Sequence, residues 1–265
     1  MTCVGAALQN RWRAALLILT AALQGAGAAH ARELVIVSET FAPYVFEQRG
    51  EARGFDYEVS KAVLARLGYT LNLQFAPWRR ALVMAASKQV DGVLGIGRGN
   101  QNEREAFLAF PDEALSGSRV VLFYLKGRPF HYEGLFSLAG KTVGTLAGYT
   151  YSPDFASAPY FTREPVDTHE QNLRKLLRGH IDLALIDTAV GLYAAQQLGV
   201  AGEFSYEPHM ISGGRQYIAF TRARGHDKLA QDFSKALVAF KKTDDYRAIF
   251  KAYGIDPASV APPEF

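Results

Sequence analysis

The chain has 265 residues, a formal net charge of +3 and a single cysteine, and 49% of its residues are hydrophobic. A near-neutral charge without a basic stripe argues against nucleic acid as a partner, and one cysteine excludes a disulfide framework. A chain of this length can bury a core without such crosslinks.

Residues 1–31 are predicted to be a cleaved secretory signal peptide. Arg11 and Arg13 supply the positive segment of such a peptide, and the apolar run at residues 14–22 is too short to span a bilayer. An Ala-x-Ala cleavage motif follows at residues 29–31. We therefore expect an exported, soluble mature chain that resides in the periplasm.

The first part of the mature chain alternates strand and helix patterns. Its first apolar run is continuous, which is typical of a buried parallel strand, and Asp56 is placed to cap the helix that follows. In chain order the predicted elements are a strand at 34–37, a helix at 56–68, a strand at 71–75, a helix from 77 and a strand at 93–96. This β-α-β-α-β order predicts an α/β domain with a parallel sheet.

A second β-α-β pattern begins near residue 119. In order we expect strands at 119–125 and 142–146, a helix at 172–177, a strand at 181–186, a helix at 190–198, a strand at 217–220 and two closing helices around 229–240 and 246–253. Residues 114–118 and 213–216 are predicted to be connectors. The last ten residues, 256–265, contain three prolines and are predicted to be a loose tail.

The loop after the strand at 93–96 holds two arginines, Arg98 and Arg104. Ligands of open α/β sheets bind at the carboxyl ends of strands. An arginine there presents a planar, permanently charged fork that matches a carboxylate. The alternative is that both side chains are solvated loop residues.

Metal and nucleotide chemistry find no support in the sequence. The histidines of the mature chain show no paired spacing of metal ligands, and the glycines at 95, 97 and 99 lack the spacing of a dinucleotide fingerprint. We therefore expect no metal and no cofactor. The histidines concerned are His131, His169, His180, His209 and His226.

Five short stretches follow one another along the mature chain in a characteristic order and spacing. They are residues 41–46 with Gly54-Phe55-Asp56; Trp78 thirteen residues before Asp91; Glu103-Arg104 leading into Phe110; residues 140–144 leading to Gly148-Tyr149-Thr150; and residues 181–184 leading to Asp187. Together they resemble the family 3 bacterial extracellular solute-binding proteins of the amino-acid-binding type, the substrate-binding proteins of ABC transporters.

The resemblance implies the type II periplasmic-binding-protein fold, in which two α/β lobes are joined by two hinge strands. Lobe 1 would comprise residues 32–113 and 218–265, and lobe 2 would comprise residues 119–211. The hinge would comprise residues 114–118 and 212–217. A ligand would lie in the cleft, and the lobes would close on it.

The resemblance also implies how a zwitterion would be held. The arginine of the third loop, here Arg104, binds the α-carboxylate together with backbone N–H groups near Thr150. The acid after the strand at 181–186, here Asp187, binds the α-ammonium. Both ligand charges need partners, since burying an unpaired charge is costly. Asp187 can also cap the helix that follows it.

The same positions include aromatic residues, for which the sequence leaves alternatives open. Phe41 would stack on the ligand and Trp78 would form the opposite wall of the pocket. Phe41 and Tyr44 could instead be a loop plug packed on the core, and Trp78 could be a core residue. Tyr149 either shapes the pocket or faces solvent.

The loop before Arg104 departs from the pattern of the family. Residues 97–102 contain no threonine, although the family usually has a threonine-rich segment there, and Arg98 adds a second positive charge. A ligand that is more acidic than a simple amino acid, or one that is not an α-amino acid, therefore stays open. In that case Arg98 would be a main carboxylate binder.

Three functions follow from these observations. The first, which we predict, is a monomeric, non-catalytic binding protein that delivers an amino acid or related carboxylate to an inner-membrane ABC importer. The second is an enzyme on the same fold that resembles cyclohexadienyl dehydratases, with Glu39 as the candidate acid. The third is a ligand sensor that docks on a membrane receptor.

Overall fold

A computed structural model describes residues 31–98, 100–147 and 151–262. The predicted signal peptide lies outside the described residues except for its last position. No helix within the described ranges has both the length and the apolar character that a membrane span requires.

The described residues form a mixed α/β structure, which confirms the predicted fold class. Its strands are β1 (Arg32–Ser38), β2 (Phe46–Gln48), β3 (Glu51–Arg53), β4 (Tyr69–Phe75), β5 (Gly92–Ile96), β6 (Leu108–Ala109), β7 (Ser116–Leu125), β8 (Thr142–Leu146), β9 (Thr162–Val166), β10 (Leu183–Asp187), β11 (Phe204–Tyr206) and β12 (Ser212–Thr221). Its α-helices are α1 (Phe55–Arg66), α2 (Trp78–Ala86), α3 (Pro153–Ser157), α4 (His169–Leu177), α5 (Thr188–Gln197), α6 (Asp227–Phe240) and α7 (Asp244–Ala252).

Ten of these strands form one sheet with the main order β4-β1-β5-β12-β7-β10-β8-β9. The pairs β1–β5, β10–β8 and β8–β9 are parallel. The two central strands, β7 and β12, are each ten residues long, pair antiparallel with one another and pair antiparallel with their outer neighbours. Two parallel halves are therefore joined by a pair of long antiparallel strands.

Two of the parallel strands, β1 and β10, contain largely apolar, buried runs. All five residues of β10 are buried, and Leu34, Ile36 and Val37 of β1 are fully buried. Runs of this kind form strands that are covered on both faces, because an alternating strand would expose every second side chain. The short apolar segments therefore determine the centre of each half of the sheet.

The two C-terminal helices pack against the first half of the sheet. Phe55 of α1 stacks on Phe250 of α7 with ring centroids 4.8 Å apart. The ring of Phe220 in β12 packs edge-on against the ring of Phe233 in α6, with ring centroids 5.8 Å apart. These rings are fully buried, and burial of such large apolar surfaces is the main stabilising contribution here. The chain thus returns to its first half after β12.

Several local predictions were wrong. Residues 114–118 and 213–216 were expected to be connectors, but residues 116–118 belong to β7 and residues 212–216 to β12. These Ser- and Gly-rich segments form strands because they pair with each other, Ser212 opposite Val120 through Gln216 opposite Ser116. The expected loose tail instead contains a 3₁₀ turn over Pro257–Val260, where Val260 is buried in the core.

Asp56 was also expected to cap α1, and this was wrong. Gly54 occupies the cap position, and no side chain accepts a hydrogen bond there. Asp56 lies one residue inside the helix, completely buried, and accepts a hydrogen bond from Ser116 of β7. The Asp56 side chain therefore makes a tertiary hydrogen bond to β7 instead of capping the helix as the local sequence pattern predicts.

Candidate functional site

Three cavities meet where the loops after β1 and β5 approach β7 and β12. The arginine cavity, of about 490 Å³, is lined by Gly97, Arg98, Arg104, Ser118, Gly213, Gly214, Arg215, Gln216 and Tyr217. The aromatic cavity, of about 190 Å³, is lined by Ser38, Glu39, Thr40, Phe41, Val45, Trp78, Gly95 and Gln216. The Asp187 cavity, of about 140 Å³, is lined by Phe41, Ser118, Val120, Tyr151, His169, Leu185, Asp187 and Ser212.

Shared wall residues connect these cavities into one cleft. Gln216 borders the arginine and aromatic cavities, Ser118 borders the arginine and Asp187 cavities, and Phe41 borders the aromatic and Asp187 cavities. Close backbone approach forms part of the floor, because a Cβ at Gly213 would lie 2.1 Å from the carbonyl oxygen of Ser118. The cleft therefore combines cationic, aromatic and acidic walls.

Arg104 has an incompletely used guanidinium in the arginine cavity. It lies in the 3₁₀ segment Asn100–Ala106, its Nη1 donates to the carbonyl oxygen of Gly97 at 2.7 Å, and its guanidinium lies 5.4 Å from the ring centre of Trp78. Burial lowers its pKa, but an arginine remains charged. Among the described residues, no carboxylate forms an ion pair with it. Its fork is free to take an anion.

Arg98 lines the same cavity but already has partners. It pairs with Glu105, donates from Nη2 to the carbonyl oxygen of Pro111 at 3.0 Å, and packs against the rings of Phe110 and Tyr217 at 5.2 Å each. Burial alone would lower its pKa, but the hydrogen bonds with Tyr217 and Glu105 raise it overall. The charge of Arg98 is therefore compensated within the protein.

Asp187 is the most heavily hydrogen-bonded side chain of the cleft. It is the last residue of β10, is almost completely buried, and caps α5 by accepting from the backbone N–H groups of Ala189 and Val190 at 3.0 and 3.2 Å. It also accepts from the Ser118 hydroxyl and from the backbone N–H of Arg119, at 2.9 Å each. The capping alternative considered for this residue is thus realised.

Burial raises the pKa of Asp187, and its hydrogen bonds lower that pKa only in part. A carboxylate in this situation is stabilised when a cation approaches it. Its position in the wall of the Asp187 cavity allows such an approach.

Tyr44 lies behind the cleft. Its side chain is fully buried, stacks on Phe41 with ring centroids 4.8 Å apart, and donates to Asp187 Oδ1 at 3.0 Å. Its hydroxyl also lies 3.1 Å from the carbonyl oxygen of Gly117. Tyr44 lines none of the three cavities and therefore orients Asp187 and supports Phe41.

Phe41 and Trp78 both face the aromatic cavity and are half-buried. Phe41 is placed by a bridge to Val45, in which the backbone N–H of Phe41 donates to the Val45 carbonyl oxygen at 2.6 Å. Trp78 is the first residue of α2. Glu39 lines the same cavity, and its side chain is exposed. The two rings thus form an apolar part of the cleft.

Tyr149 and Thr150, the two remaining candidates, lie outside the described residues. Sequence reasoning missed several polar residues that border the cavities, among them Ser118, Tyr151, His169 and Gln216. Ser118 and Gln216 were assigned to connectors, and His169 was considered only as a metal ligand. No local pattern marks these residues, because their place in the wall depends on the pairing of β7 with β12 and on the start of α4.

The comparisons with known proteins agree with this architecture. The sequence profile of the bacterial extracellular solute-binding proteins, family 3, matches residues 34–256. The probable amino-acid-binding protein YxeM of Bacillus subtilis is 20% identical over 216 residues, which cover 80% of this chain and 79% of that protein. The arginine-binding periplasmic protein of Mannheimia haemolytica is 19% identical over 227 residues, which cover 84% of this chain and 91% of that protein.

A solved histidine kinase sensor domain with similarity to periplasmic binding proteins has a TM-score of 0.64 and 22% identity, covering 88% of this chain and 99% of that chain. At this identity the likeness shows the fold, which is the two-lobed α/β fold of type II periplasmic binding proteins. The profile match spans most of the chain, and the relatives align along most of their length. The chain belongs to family 3 of the bacterial extracellular solute-binding proteins.

Proposed function

We propose that this protein captures a small zwitterion, an amino acid or a related compound, between two lobes. One observation carries the proposal: the cavity of Arg104 and the cavity of Asp187 share Ser118 as a wall. An unpaired guanidinium and a buried carboxylate therefore face the same connected cleft. Two relatives are named as amino-acid binders, YxeM as a probable amino-acid-binding protein and the Mannheimia haemolytica protein as an arginine-binding protein. These names support this ligand class.

The chemistry of the cleft suits a ligand that carries both charges. A zwitterion that leaves water needs a partner for each charged group, because an unpaired buried charge is costly. The guanidinium fork of Arg104 can bind the carboxylate in a bidentate manner, and Asp187 can bind the ammonium. Phe41 and Trp78 can contact an apolar or planar part of the ligand.

Closure of the two lobes would couple binding of the ligand to a change in the conformation of the protein. We assign residues 32–113 and 218–265 to lobe 1, residues 119–211 to lobe 2, and residues 114–118 and 212–217 to the hinge. The support for this assignment is the sheet, since β7 and β12 alone join its two parallel halves. In this assignment Arg104 belongs to lobe 1 and Asp187 to lobe 2. A ligand that touches both favours the closed state.

Family membership supports a delivery role outside the cytoplasm. We propose that residues 1–31 direct export, that the mature protein acts in the periplasm as a monomer, and that it delivers its ligand to an inner-membrane ABC importer. The dehydratase alternative needs an acid held apart from water, and the Glu39 side chain is exposed. Within the described residues no contact favours that alternative or the sensor role over delivery.

The test is a thermal-shift screen on refolded protein from which bound ligand has been stripped. The panel contains the twenty L-amino acids, the corresponding carboxylic acids without the amino group, dicarboxylic acids and polyamines. A compound at one hundred times its dissociation constant stabilises the protein by about 2.7 kcal/mol. We expect α-amino acids to raise the melting temperature. A shift with dicarboxylic acids alone would reject the zwitterion and make Arg98 the second carboxylate binder.

Arg104→Ala then tests the carboxylate contact by calorimetric titration with the best amino acid of the screen. Removing the fork should weaken binding by about 2–5 kcal/mol, because a buried carboxylate loses its partner. Arg79→Ala is the matched control, since Arg79 is an exposed arginine that follows Trp78 in α2 and lines none of the three cavities. Equal affinities for the wild type and Arg104→Ala would overturn the assignment.

A further inference from the structure

His169 borders the Asp187 cavity and has one ring nitrogen without a hydrogen-bond partner among the described residues. It is the first residue of α4, directly after the cap Thr168, whose side chain accepts from the backbone N–H of Gln171. Its Nδ1 is buried and has no hydrogen-bond partner among the described residues. Among the described residues that line the three cavities, His169 is the one with a buried side-chain polar atom that lacks a hydrogen bond. Neither the fold nor the proposed carboxylate contact explains this atom.

A buried nitrogen without a partner is costly. Nearly all buried polar side-chain atoms in proteins are hydrogen-bonded, and leaving one unpaired destabilises the protein. The start of α4 fixes the backbone of His169, so the ring stays beside the cavity. Because His169 also borders the Asp187 cavity, its ring can meet a group that enters there.

The neighbouring carboxylate cannot supply all of the hydrogen bonds that an ammonium needs. Asp187 already accepts five hydrogen bonds, from Tyr44, Ser118 and three backbone N–H groups. A carboxylate offers about four lone-pair sites, so Asp187 contributes charge more than free acceptor capacity. An ammonium has three N–H groups to satisfy, and a further acceptor in the same cavity would complete its coordination.

His169 fits that requirement because it is neutral. Burial lowers the pKa of His169 to about 4, and the nearby Glu170 opposes this effect only in part. A neutral imidazole presents one nitrogen lone pair. It leaves the negative charge of Asp187 uncompensated, whereas a protonated ring would repel a cation.

Resting on the proposed function, we propose that His169 is a ligand-binding residue that accepts a hydrogen bond from the ligand's ammonium group beside Asp187. The residue would make the site selective for primary amino compounds over the same acids without the amino group. This assignment adds an acceptor to the cleft that no sequence pattern of the chain indicates.

The test is a cycle that combines a protein variant with a ligand analogue. Calorimetric titrations compare the wild type and His169→Ala, each with the best amino acid of the twenty and with the carboxylic acid that lacks its amino group. His180→Ala is the control, since His180 is exposed and borders none of the three cavities. Melting curves of all variants verify folding.

We expect His169→Ala to weaken the amino acid about tenfold and to leave the affinity for the carboxylic acid within twofold. Equal weakening of both compounds, or no change in either, would overturn the role of His169 while the wild-type titration still supports the proposed function. Failure of the wild type to bind any of the twenty amino acids would reject the proposed function and this inference with it.

Nitrogen-15 spectra of histidine-labelled wild-type protein provide a readout that does not depend on a variant's affinity. The signals of His169 are assigned by their absence in His169→Gln. Adding the amino acid at neutral pH should shift the unprotonated ring nitrogen in the direction of hydrogen-bond acceptance. The carboxylic acid without the amino group should not cause that shift. Identical spectra with both compounds would contradict the contact.

Discussion

Two buried carboxyl groups, Asp187 and Asp56, contact the same segment of β7 but have very different partners. Asp187 accepts five hydrogen bonds, one of them from Ser118 at 2.9 Å. Asp56 accepts one, from Ser116 at 2.8 Å, and its Oδ1 is buried without a partner. Both residues are buried, so the difference lies in hydrogen bonding and not in burial.

This difference shows how one segment of β7 can give two acids very different surroundings. Burial raises the pKa of Asp56 to about 8, and the hydrogen bond from Ser116 and the charge of Lys241 oppose this only in part. Asp56 therefore keeps its proton at neutral pH. The donors around Asp187 favour its ionised form. Asp187, which borders a cavity, has the donors that support a charge, and Asp56 does not.

The largest effect that tests this comparison is the pH dependence of stability in Asp56→Asn. The folded-state pKa of about 8 lies above the unfolded value of about 4. Below about pH 4 both states hold the proton and the wild type keeps its full stability. As pH rises towards 8, the unfolded state ionises first and unfolding becomes more favourable.

Asp56→Asn removes this titration while keeping a neutral side chain of similar shape. The wild type should therefore lose up to about 5 kcal/mol relative to the variant between pH 4 and pH 9. Urea unfolding at half-unit steps of pH measures the difference. Parallel stability profiles of the two proteins would show that Asp56 is ionised in the folded protein and that the two acids do not differ.

Asp187→Ala is expected to have the next largest effect. The substitution removes the cap of α5 and leaves the Ser118 hydroxyl and the backbone N–H of Arg119 without an acceptor. Cap loss and unpaired buried donors together should lower the free energy of unfolding at pH 7 by about 3–5 kcal/mol. Urea unfolding at that pH measures the loss.

Asp182→Ala is the matched control for this prediction. Asp182 lies just before β10, is exposed, and accepts a single hydrogen bond from the backbone N–H of Thr142 at 2.8 Å. Its loss should cost no more than about 1 kcal/mol. A similar loss in both variants would mean that the hydrogen bonds of Asp187 contribute little to stability.

Sequence reasoning succeeded where the structure depends on local patterns. β8 occupies residues 142–146 as predicted, because a short segment with three β-branched residues that follows a turn favours a strand. The capping of α5 by Asp187 was also accessible from the sequence, since cap and helix are adjacent. The resemblance to the family located the loop of Arg104.

Sequence reasoning failed where partners are distant along the chain. The first half of β7 pairs with residues 212–216, and its Ser-Gly composition resembles a connector until that partner is known. Asp56 resembled a helix cap, but its partner Ser116 lies 60 residues away. His169 was invisible as a site residue, since only the folded chain places it beside Asp187. These features form the cleft and its surroundings, which arise from strand pairing and not from local propensity.

The smallest effect that tests the comparison comes from the two serines of β7. Ser118→Ala removes a hydrogen bond to Asp187, and Ser116→Ala removes one to Asp56. Hydrogen bonds to charged groups contribute about 1.5–3 kcal/mol and those between neutral groups about 0.5–1.5. At pH 7 Ser118→Ala should therefore destabilise the protein more than Ser116→Ala, as measured by urea unfolding. At pH 9, where Asp56 is ionised, the cost of Ser116→Ala should rise towards that of Ser118→Ala. Equal costs of the two substitutions at both values of pH would show that the two acids carry the same charge.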